Sequence, residues 1–240
     1  MFVKSSYQSH PGLVRKNNED FIHSDDSQGI YLLADGMGGH NSGEVASELA
    51  GKTAQTYLVE RLLSASDNEI PNILLEAIKA AHETVNEKAK TDLSLMGMGT
   101  TLVEVVVRNN KAFICHAGDS RAYLYSDILQ RLTRDHTIGD QLLANNILPR
   151  ERIPEIKWHT LTQMVGIGDP PVPDFKQVDL LSGNMLLLCS DGLTDMLTDE
   201  EIETIIKEGN LDIDFITKSL IEAANIRGGR DNVSAVLVKI

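Results

Sequence analysis

The order of strand-like and helical patterns along the chain predicts an α+β fold in which helices cover antiparallel sheets. Apolar runs rich in Val, Ile, Leu and Tyr occur in consecutive groups rather than in regular alternation with helices, and consecutive strands favour antiparallel pairing. The hydrophobic content of 42% over 240 residues is enough for a sizeable core. Because no Pro-, Gly- or Ser-rich linker divides the chain, we expect a single domain over residues 1–240.

The apolar runs place eight strands along the chain. We expect them at residues 20–25, 30–35, 100–107, 111–117, 121–125, about 176–181, 185–190 and 232–240. These runs suit a buried pleated surface because β-branched and aromatic side chains pack well on it.

Helical periodicity predicts five helices, over residues 43–63, about 70–90, 137–146, 199–208 and 212–226. Asn41 or Ser42 is a candidate cap for the first helix. Five residues of that helix are expected to share one face: Val45, Leu49, Thr53, Tyr57 and Leu58. Five of the seven prolines fall between residues 149 and 173, which indicates an irregular excursion there.

Charge and composition exclude several classes of protein. A net charge of −13 argues against a surface that follows nucleic-acid phosphates. No window of about eighteen apolar residues suggests a membrane span, and the N-terminal segment lacks the basic-then-apolar pattern of a secretory signal. We therefore expect a cytoplasmic protein.

Cys115 and Cys189 lie in apolar strand-like runs and are expected to be buried thiols, neither paired as a disulfide nor nucleophilic.

Several aspartates lie where predicted strands begin or end. Asp35 in "IYLLADG" and Asp191 in "LLLCSDG" each follow an apolar strand and precede a glycine, a pattern that is also typical of a simple turn. A hairpin closed by residues 26–29 would place Asp20 opposite Asp35. Asp231 precedes the last strand, so an antiparallel neighbour would bring it to Asp191. Asp119 occupies a short turn between two further strands.

When carboxylates gather at one rim of the sheets, their negative charge must be neutralised. Two of them in contact repel each other by about 4 kcal/mol at an effective dielectric of about 20. Either some of them share protons or cations bind between them. A set of oxygen ligands without a His or Cys cluster selects hard cations such as Mg²⁺, Mn²⁺ or Ca²⁺. In that case Gly36 can offer its carbonyl as a ligand, and the glycines that follow leave room for ions and substrate.

The motifs resemble those of the metal-dependent Ser/Thr phosphatases of the PP2C (PPM) family, in their compact bacterial form. Seven motifs occur in family order: "RKNNED" (15–20), "ADGMGGH" (34–40), "MGTT" (98–101), "HAGDSR" (116–121), "RDH" (134–136), "LLLCSDGL" (186–193) and "GGRDNVS" (228–234). The resemblance spans essentially the whole chain. It implies a four-layer α–β–β–α sandwich, with a binuclear Mn²⁺ or Mg²⁺ site at one edge.

The resemblance also implies roles for the metal-binding residues. Asp35 would bridge both cations, and the Gly36 carbonyl would bind one of them. Asp191 and Asp231 would bind the other. Asp119, together with Asp191, matches a weaker third-cation site of bacterial members.

Further matches concern the surroundings of the cations. Asp20 and Glu19 match positions that hold metal-bound water or the second ion, and Arg15 matches the arginine that grips the substrate phosphate. Residues 137–173 match the variable flap beside the active site. Trp158 is expected to pack within this flap, and His116 to be an interior histidine.

The implied reaction is hydrolysis of phosphoserine and phosphothreonine by direct attack of a water activated between two cations. Two cations about 3.5–4 Å apart lower the pKa of such a water and stabilise an in-line displacement. Met37 stands where eukaryotic members have the histidine proposed as the general acid. The general acid here is therefore either His40 or, if His40 has only a structural role, a water.

Three rival functions share part of this pattern: hydrolysis of a small phosphoester, a catalytically inactive binding module, and calcium binding without turnover. The inactive module is disfavoured because Asp35, Asp191 and Asp231 are all present. The expected partners are phosphorylated proteins and a cognate Ser/Thr kinase, without nucleic acid or membrane, and the protein is expected to be a monomer.

Overall fold

The structure, a computed structural model, describes residues 3–38 and 42–240. Its strands are β1 (Lys4–His10), β2 (Asp20–Asp25), β3 (Ile30–Met37), β4 (Gly99–Thr100), β5 (Leu102–Arg108), β6 (Lys111–Ala117), β7 (Arg121–Tyr125), β8 (Leu129–Arg131), β9 (Asp174–Asp179), β10 (Met185–Cys189) and β11 (Val233–Lys239). Its helices are α1 (Ser42–Leu62), α2 (Ile70–Thr91), α3 (Ile138–Ala144), α4 (Glu155–Trp158), α5 (Asp191–Thr194), α6 (Asp199–Glu208) and α7 (Ile213–Ile226).

The strands form two antiparallel sheets. The first sheet has the order β1-β11-β10-β7-β8, and the second has the order β2-β3-β5-β6-β9 with β4 paired to β3. Helices α1 and α2 cover the outer face of the second sheet, whereas α6 and α7 cover the outer face of the first. The predicted α+β class and the four-layer α–β–β–α sandwich are confirmed.

Both faces of the central strands are buried, which explains their continuous apolar runs. In β3, Tyr31 and Leu33 point into the core between the sheets, while Ile30 and Leu32 point towards α1 and α2. All four side chains are fully buried. This alternation fixes the face of the sheet on which Asp35 emerges, because a slip of one residue would exchange the two faces.

The predicted strands are found with small shifts, and two strands were missed. The run 100–107 is divided into β4 and β5 at Thr101, and β9 begins two residues before the predicted start. Strand β1, "KSSYQSH", was missed because it is an edge strand with mostly polar, partly exposed side chains. Strand β8 has only three residues, too few for a periodic signal.

The buried face of α1 differs from the predicted one. Small residues form its centre, namely Gly43, Ala46, Ala50, Gly51 and Ala54, together with Leu58. The other residues expected to share that face are half-buried at its flank. A Cβ at Gly51 would lie 2.1 Å from a ring carbon of Phe21 on β2. The sequence pattern marks large apolar residues, but the close approach of α1 to β2 and β3 depends on small ones. The candidate cap Asn41 lies outside the described residues.

Cys115 and Cys189 are free and buried, as predicted. They belong to different hydrophobic layers, on the outer faces of the two sheets. Burial raises the pKa of the Cys189 thiol to about 12, so this thiol stays protonated at neutral pH.

Glu104 on β5 is a buried carboxyl in the apolar layer beneath α1 and α2. It is paired with Leu32 and Cys115, both of which face these helices. Neither of its carboxyl oxygens has a hydrogen-bond partner among the described residues. Burial raises the pKa of Glu104 well above its ordinary value of 4.5.

Replacing Glu104 with Gln is expected to stabilise the protein more at high pH than at low pH. A raised carboxyl pKa in the folded state means that the wild type loses stability as pH rises from the unfolded value through the folded one. Urea unfolding at about pH 5 and about pH 8 measures this difference. Glu83→Gln, on the exposed face of α2, is the matched control and should show little change. An equal effect of Glu104→Gln at both pH values would contradict a buried titrating carboxyl.

Candidate active site

Asp35 is held by its backbone near the end of β3. Its N–H donates to Thr101 Oγ1 at 2.9 Å, and its carbonyl accepts from the Thr101 N–H at 2.9 Å and from Thr100 Oγ1 at 2.8 Å. Strand β2 places Asp20 directly opposite Asp35, in the register predicted from the hairpin. The main chain of Asp35 is therefore fixed on both sides, and its carboxyl contacts those of Asp20 and Asp191.

Gly36 lies where three segments meet. Its N–H donates to the Glu19 carbonyl at 3.1 Å. A Cβ on Gly36 would lie 2.1 Å from the Gly43 carbonyl oxygen at the start of α1. No other residue fits this position without moving the helix, which explains the glycine after the strand.

Asp191 and Asp231 come together as the antiparallel pairing of β10 with β11 predicts. Cys189 pairs with Ala235, so Asp191 just follows one strand and Asp231 just precedes the other. Close packing holds this junction, because a Cβ on Gly192 would lie 1.9 Å from the Asn232 carbonyl oxygen.

Asp119 lies in the turn between β6 and β7, and these two strands belong to different sheets. The turn is therefore a crossing between the two layers rather than a hairpin. Gly118 adopts a φ of +112°, and a Cβ there would lie 2.6 Å from the Thr101 side chain. Ser120 Oγ is 2.7 Å from Thr101 Oγ1, which joins the turn to the residue that holds Asp35.

These elements enclose a cavity of about 430 Å³ between the sheet edges and the segment 159–164. Five carboxyl-bearing residues line it: Glu19, Asp35, Asp119, Asp191 and Asp231. Arg15 lies on its rim, and its Nη2 donates to Asp231 Oδ2 at 2.6 Å. The structure thus brings the predicted site residues to one place, with Asp20 opposite Asp35 on the neighbouring strand rather than in the cavity lining.

Burial and mutual repulsion raise the pKa values of four aspartates of the site, Asp20, Asp35, Asp119 and Asp191. Burial raises the pKa of Asp35 well above its ordinary value, and the charges of Asp20 and Asp191 raise it further. Burial also raises the pKa of Asp20 to about 6, and burial followed by the charge of Asp135 raises that of Asp119 to about 7. The pKa of Asp191 is raised by burial and by Asp119. The site needs protons or cations at neutral pH.

The donor set fits hard divalent cations. Most of the possible metal ligands that line the cavity are carboxylates, beside the single imidazole of His159, and carboxylates suit Mn²⁺ and Mg²⁺ better than softer ions. Asp20 Oδ2 accepts from Ser190 Oγ at 2.9 Å, but its buried Oδ1 has no hydrogen-bond partner within the described ranges. A buried carboxylate oxygen without a partner is costly. This unsatisfied oxygen is what a cation or its water would satisfy.

The family model for protein phosphatase 2C matches residues 14–218. The chain belongs to the protein phosphatase 2C family. It is similar to the serine/threonine phosphatase stp of Listeria innocua, with 33% identity over 99% of this chain and 96% of that protein.

Two solved structures resemble this member of the phosphatase 2C family over nearly its whole length. The serine/threonine phosphatase PstP/Ppp of Mycobacterium tuberculosis superposes with a TM-score of 0.90 at 31% identity, covering 100% of this chain and 99% of that one. A PstP catalytic domain in complex with two manganese ions has a TM-score of 0.84 and 32% identity, covering 99% and 97% of the two chains.

Asn232, in the GGRDNVS motif of this phosphatase 2C chain, has a structural role that the sequence pattern did not indicate. Its Oδ1 accepts from the Glu19 N–H at 2.8 Å, and its Nδ2 donates to the carbonyls of Pro11 and Asn17 at 3.0 and 2.8 Å. Asn232 therefore fastens the loop that carries Arg15 to the last strand. An amide directly before a mostly apolar strand was the signal that could have identified it.

The flap of this phosphatase 2C chain reaches the cavity through residues 159–164. Its helix α3 is close to the predicted 137–146, whereas α4 was not predicted. Trp158 packs within the flap as expected, since a Cβ on Gly139 would lie 2.6 Å from its ring. Met37 lines the cavity, and the candidate acid His40 lies outside the described residues.

Replacing Asp35 with Asn is expected to stabilise the metal-free protein and to abolish its stabilisation by Mn²⁺. A buried carboxyl with a raised pKa destabilises the fold as pH rises, whereas an amide of the same shape does not. Melting temperatures in chelator and in Mn²⁺ at about pH 8 measure both effects. Asp127→Asn, an exposed carboxyl in the turn between β7 and β8, is the control. Unchanged stabilisation by Mn²⁺ in Asp35→Asn would refute the site assignment.

Proposed function

We propose that this protein hydrolyses phosphoserine and phosphothreonine in phosphorylated proteins, as a Mn²⁺- or Mg²⁺-dependent phosphatase. The observation that carries the proposal is the convergence of five buried or partly buried carboxyl groups on one cavity with an arginine at its rim. A dianionic phosphate cannot approach such a cavity unless cations reverse its charge. Metal-assisted phosphoester hydrolysis is the chemistry that uses this arrangement.

In this proposal, Asp35, the Gly36 carbonyl, Asp191 and Asp231 hold two cations. The unsatisfied carboxyl oxygen of Asp20 would accept from a water bound to one of them. When bound, the cations supply the Lewis acidity that lowers the pKa of a water and neutralises charge on the phosphoryl group.

Arg15 orients the substrate. The contact between its guanidinium and Asp231 indicates that the side chain reaches the cluster. A guanidinium can hold two phosphoryl oxygens at once, in the geometry that an in-line displacement requires. Arg15 is therefore proposed to bind the phosphate of the substrate while the carboxylates below it are occupied.

Asp119 is proposed to hold a third, weaker cation together with Asp191. Two carboxylates fill only part of the coordination shell of such an ion, so water must supply much of the rest and the affinity is expected to be low. Asp119 is only 8% exposed, so it is not a solvated carboxylate of a surface loop.

The wider setting is also a proposal. The chain is taken as one catalytic domain over residues 1–240, with the flap at 137–173, acting as a monomer in the cytoplasm against the products of a Ser/Thr kinase. The net charge of −13 opposes self-association. Within the described ranges, no helix is both long enough and apolar enough to cross a bilayer.

Turnover of phosphoserine and phosphothreonine peptides is expected to require Mn²⁺ or Mg²⁺. Dialysis against a chelator should abolish the activity, and added Mn²⁺ should restore it, because hard oxygen ligands hold these ions reversibly. A parallel panel of small phosphorylated metabolites separates a protein phosphatase from a metabolite phosphatase. Full activity in chelator would overturn the proposal.

Arg15→Ala in the same assay tests the substrate contact. Loss of a charge-assisted hydrogen bond should cost about 1.5–3 kcal/mol in kcat/KM. Lys16→Ala, the adjacent exposed cation, is the control and should retain nearly full activity. Equal kcat/KM for the two variants would remove Arg15 from the site.

Asp119→Ala is expected to keep the two tight cations and most of the thermal stability, yet to lower phosphopeptide turnover by about tenfold or more. Calorimetric titration with Mn²⁺ should show only the weak binding event missing. Asp169→Ala, an exposed carboxyl in the flap, is the control. Wild-type turnover in Asp119→Ala would exclude the third-cation role, and loss of the tight sites would make Asp119 structural.

A further inference from the structure

His136, directly before the flap, holds the residue that precedes Asp119 from two sides. Its backbone N–H donates to the Gly118 carbonyl at 3.0 Å. The Gly118 N–H in turn donates to Nδ1 of the His136 ring at 3.3 Å. Both peptide groups that flank the Cα of Gly118 are thus fixed by one residue.

The same histidine is bonded to the flap. Its carbonyl accepts from the Thr162 N–H at 2.7 Å, beside the bridge between Thr137 and Leu161. Its Nε2 lies 3.3 Å from Asp174 Oδ2, at the point where the chain leaves the flap and enters β9. Because Leu161 lines the cavity, His136 joins the Asp119 turn to the wall of the active site.

The hydrogen bonds define the ring's tautomer and orientation. Since Nδ1 accepts from Gly118, the ring proton is on Nε2 and faces the carboxylate of Asp174. The His116 ring stacks on the His136 ring with centroids 4.6 Å apart and planes 14° apart. His116 is itself held by the contact of its Nε2 with the Arg134 carbonyl at 2.8 Å.

These three side chains do not form a metal site of their own. His116, His136 and Asp174 carry possible ligand atoms within 4.8 Å of one another. An imidazole binds a metal in the plane of its ring, and two stacked rings that are nearly parallel cannot direct their lone pairs at one ion. The cluster is a hydrogen-bonded support.

We propose that His136 is a positioning residue for the third cation, holding the Gly118–Asp119 peptide in the orientation that the carboxyl of Asp119 needs. The proposal rests on the third-cation role of Asp119 given under Proposed function. Gly118 adopts a φ of +112°. Because a glycine can adopt many other backbone conformations, the turn does not hold this geometry by itself. The other end of the turn is held by the Ser120–Thr101 contact.

The test compares His136→Ala, His136→Asn and His136→Gln by calorimetric titration with Mn²⁺, read beside phosphopeptide turnover. Asn places an amide oxygen near the position of Nδ1, whereas the longer Gln places it near Nε2. His136→Ala and His136→Gln should weaken the weak Mn²⁺ event at least about fivefold and leave the tight events unchanged. His136→Asn should stay within about twofold of the wild type, and high Mn²⁺ should restore turnover of the weakened variants.

His82→Ala is the matched control, because His82 Nδ1 accepts from the Gly166 N–H at 3.1 Å elsewhere in the flap. It should lower stability without changing the weak Mn²⁺ event. Losses of turnover in the His136 variants that high Mn²⁺ does not restore, or equal effects of Asn and Gln, would overturn the proposal. If Asp119→Ala retains the weak event, the third-cation assignment itself fails. If Asp119→Ala loses that event but His136→Gln does not weaken it, only the positioning role fails.

Discussion

Mutual repulsion among buried carboxyl groups is the constraint on which the rest of this structure depends. Asp20, Asp35, Asp119 and Asp191 all have raised pKa values, and burial is the first cause for each. Left to itself, such a cluster would open towards water, where the charges are solvated. The fold must therefore hold the carboxyls together by bonds to other parts of the same residues and their neighbours.

Those bonds are made mainly through the main chain. Thr100 and Thr101 hold the backbone of Asp35, and Asn232 holds the loop that carries Arg15. At Asp35, both the N–H and the carbonyl of the main chain are used in these bonds, so its position does not depend on its carboxyl oxygens. Preorganisation of this kind lowers the cost of assembling a charged site when cations and substrate bind.

Close packing of small residues serves the same end. Gly36 and Gly43 allow the start of α1 to approach the end of β3, and Gly51 allows the helix to lie on the ring of Phe21. Glu104 is a contrasting buried carboxyl: it has no described hydrogen-bond partner and lies in the layer beneath α1 and α2, away from the cavity. Burial alone thus perturbs a carboxyl, and only convergence with other oxygen donors makes a cation site.

The sequence by itself determined the fold class, the family motifs and the positions of the site aspartates at strand ends. The pairing of Asp20 with Asp35, and of the strand before Asp191 with the strand after Asp231, followed from strand periodicity, which is a local property. Only the tertiary structure decided which face of α1 is buried, where the polar edge strand β1 pairs, and which side chains hold the site. Asn232 and His136 bond to residues that are far away in the sequence, and no local pattern records such contacts. Their partners are chosen by how the two sheets pack, so periodicity predicts the elements but not the hydrogen bonds between them.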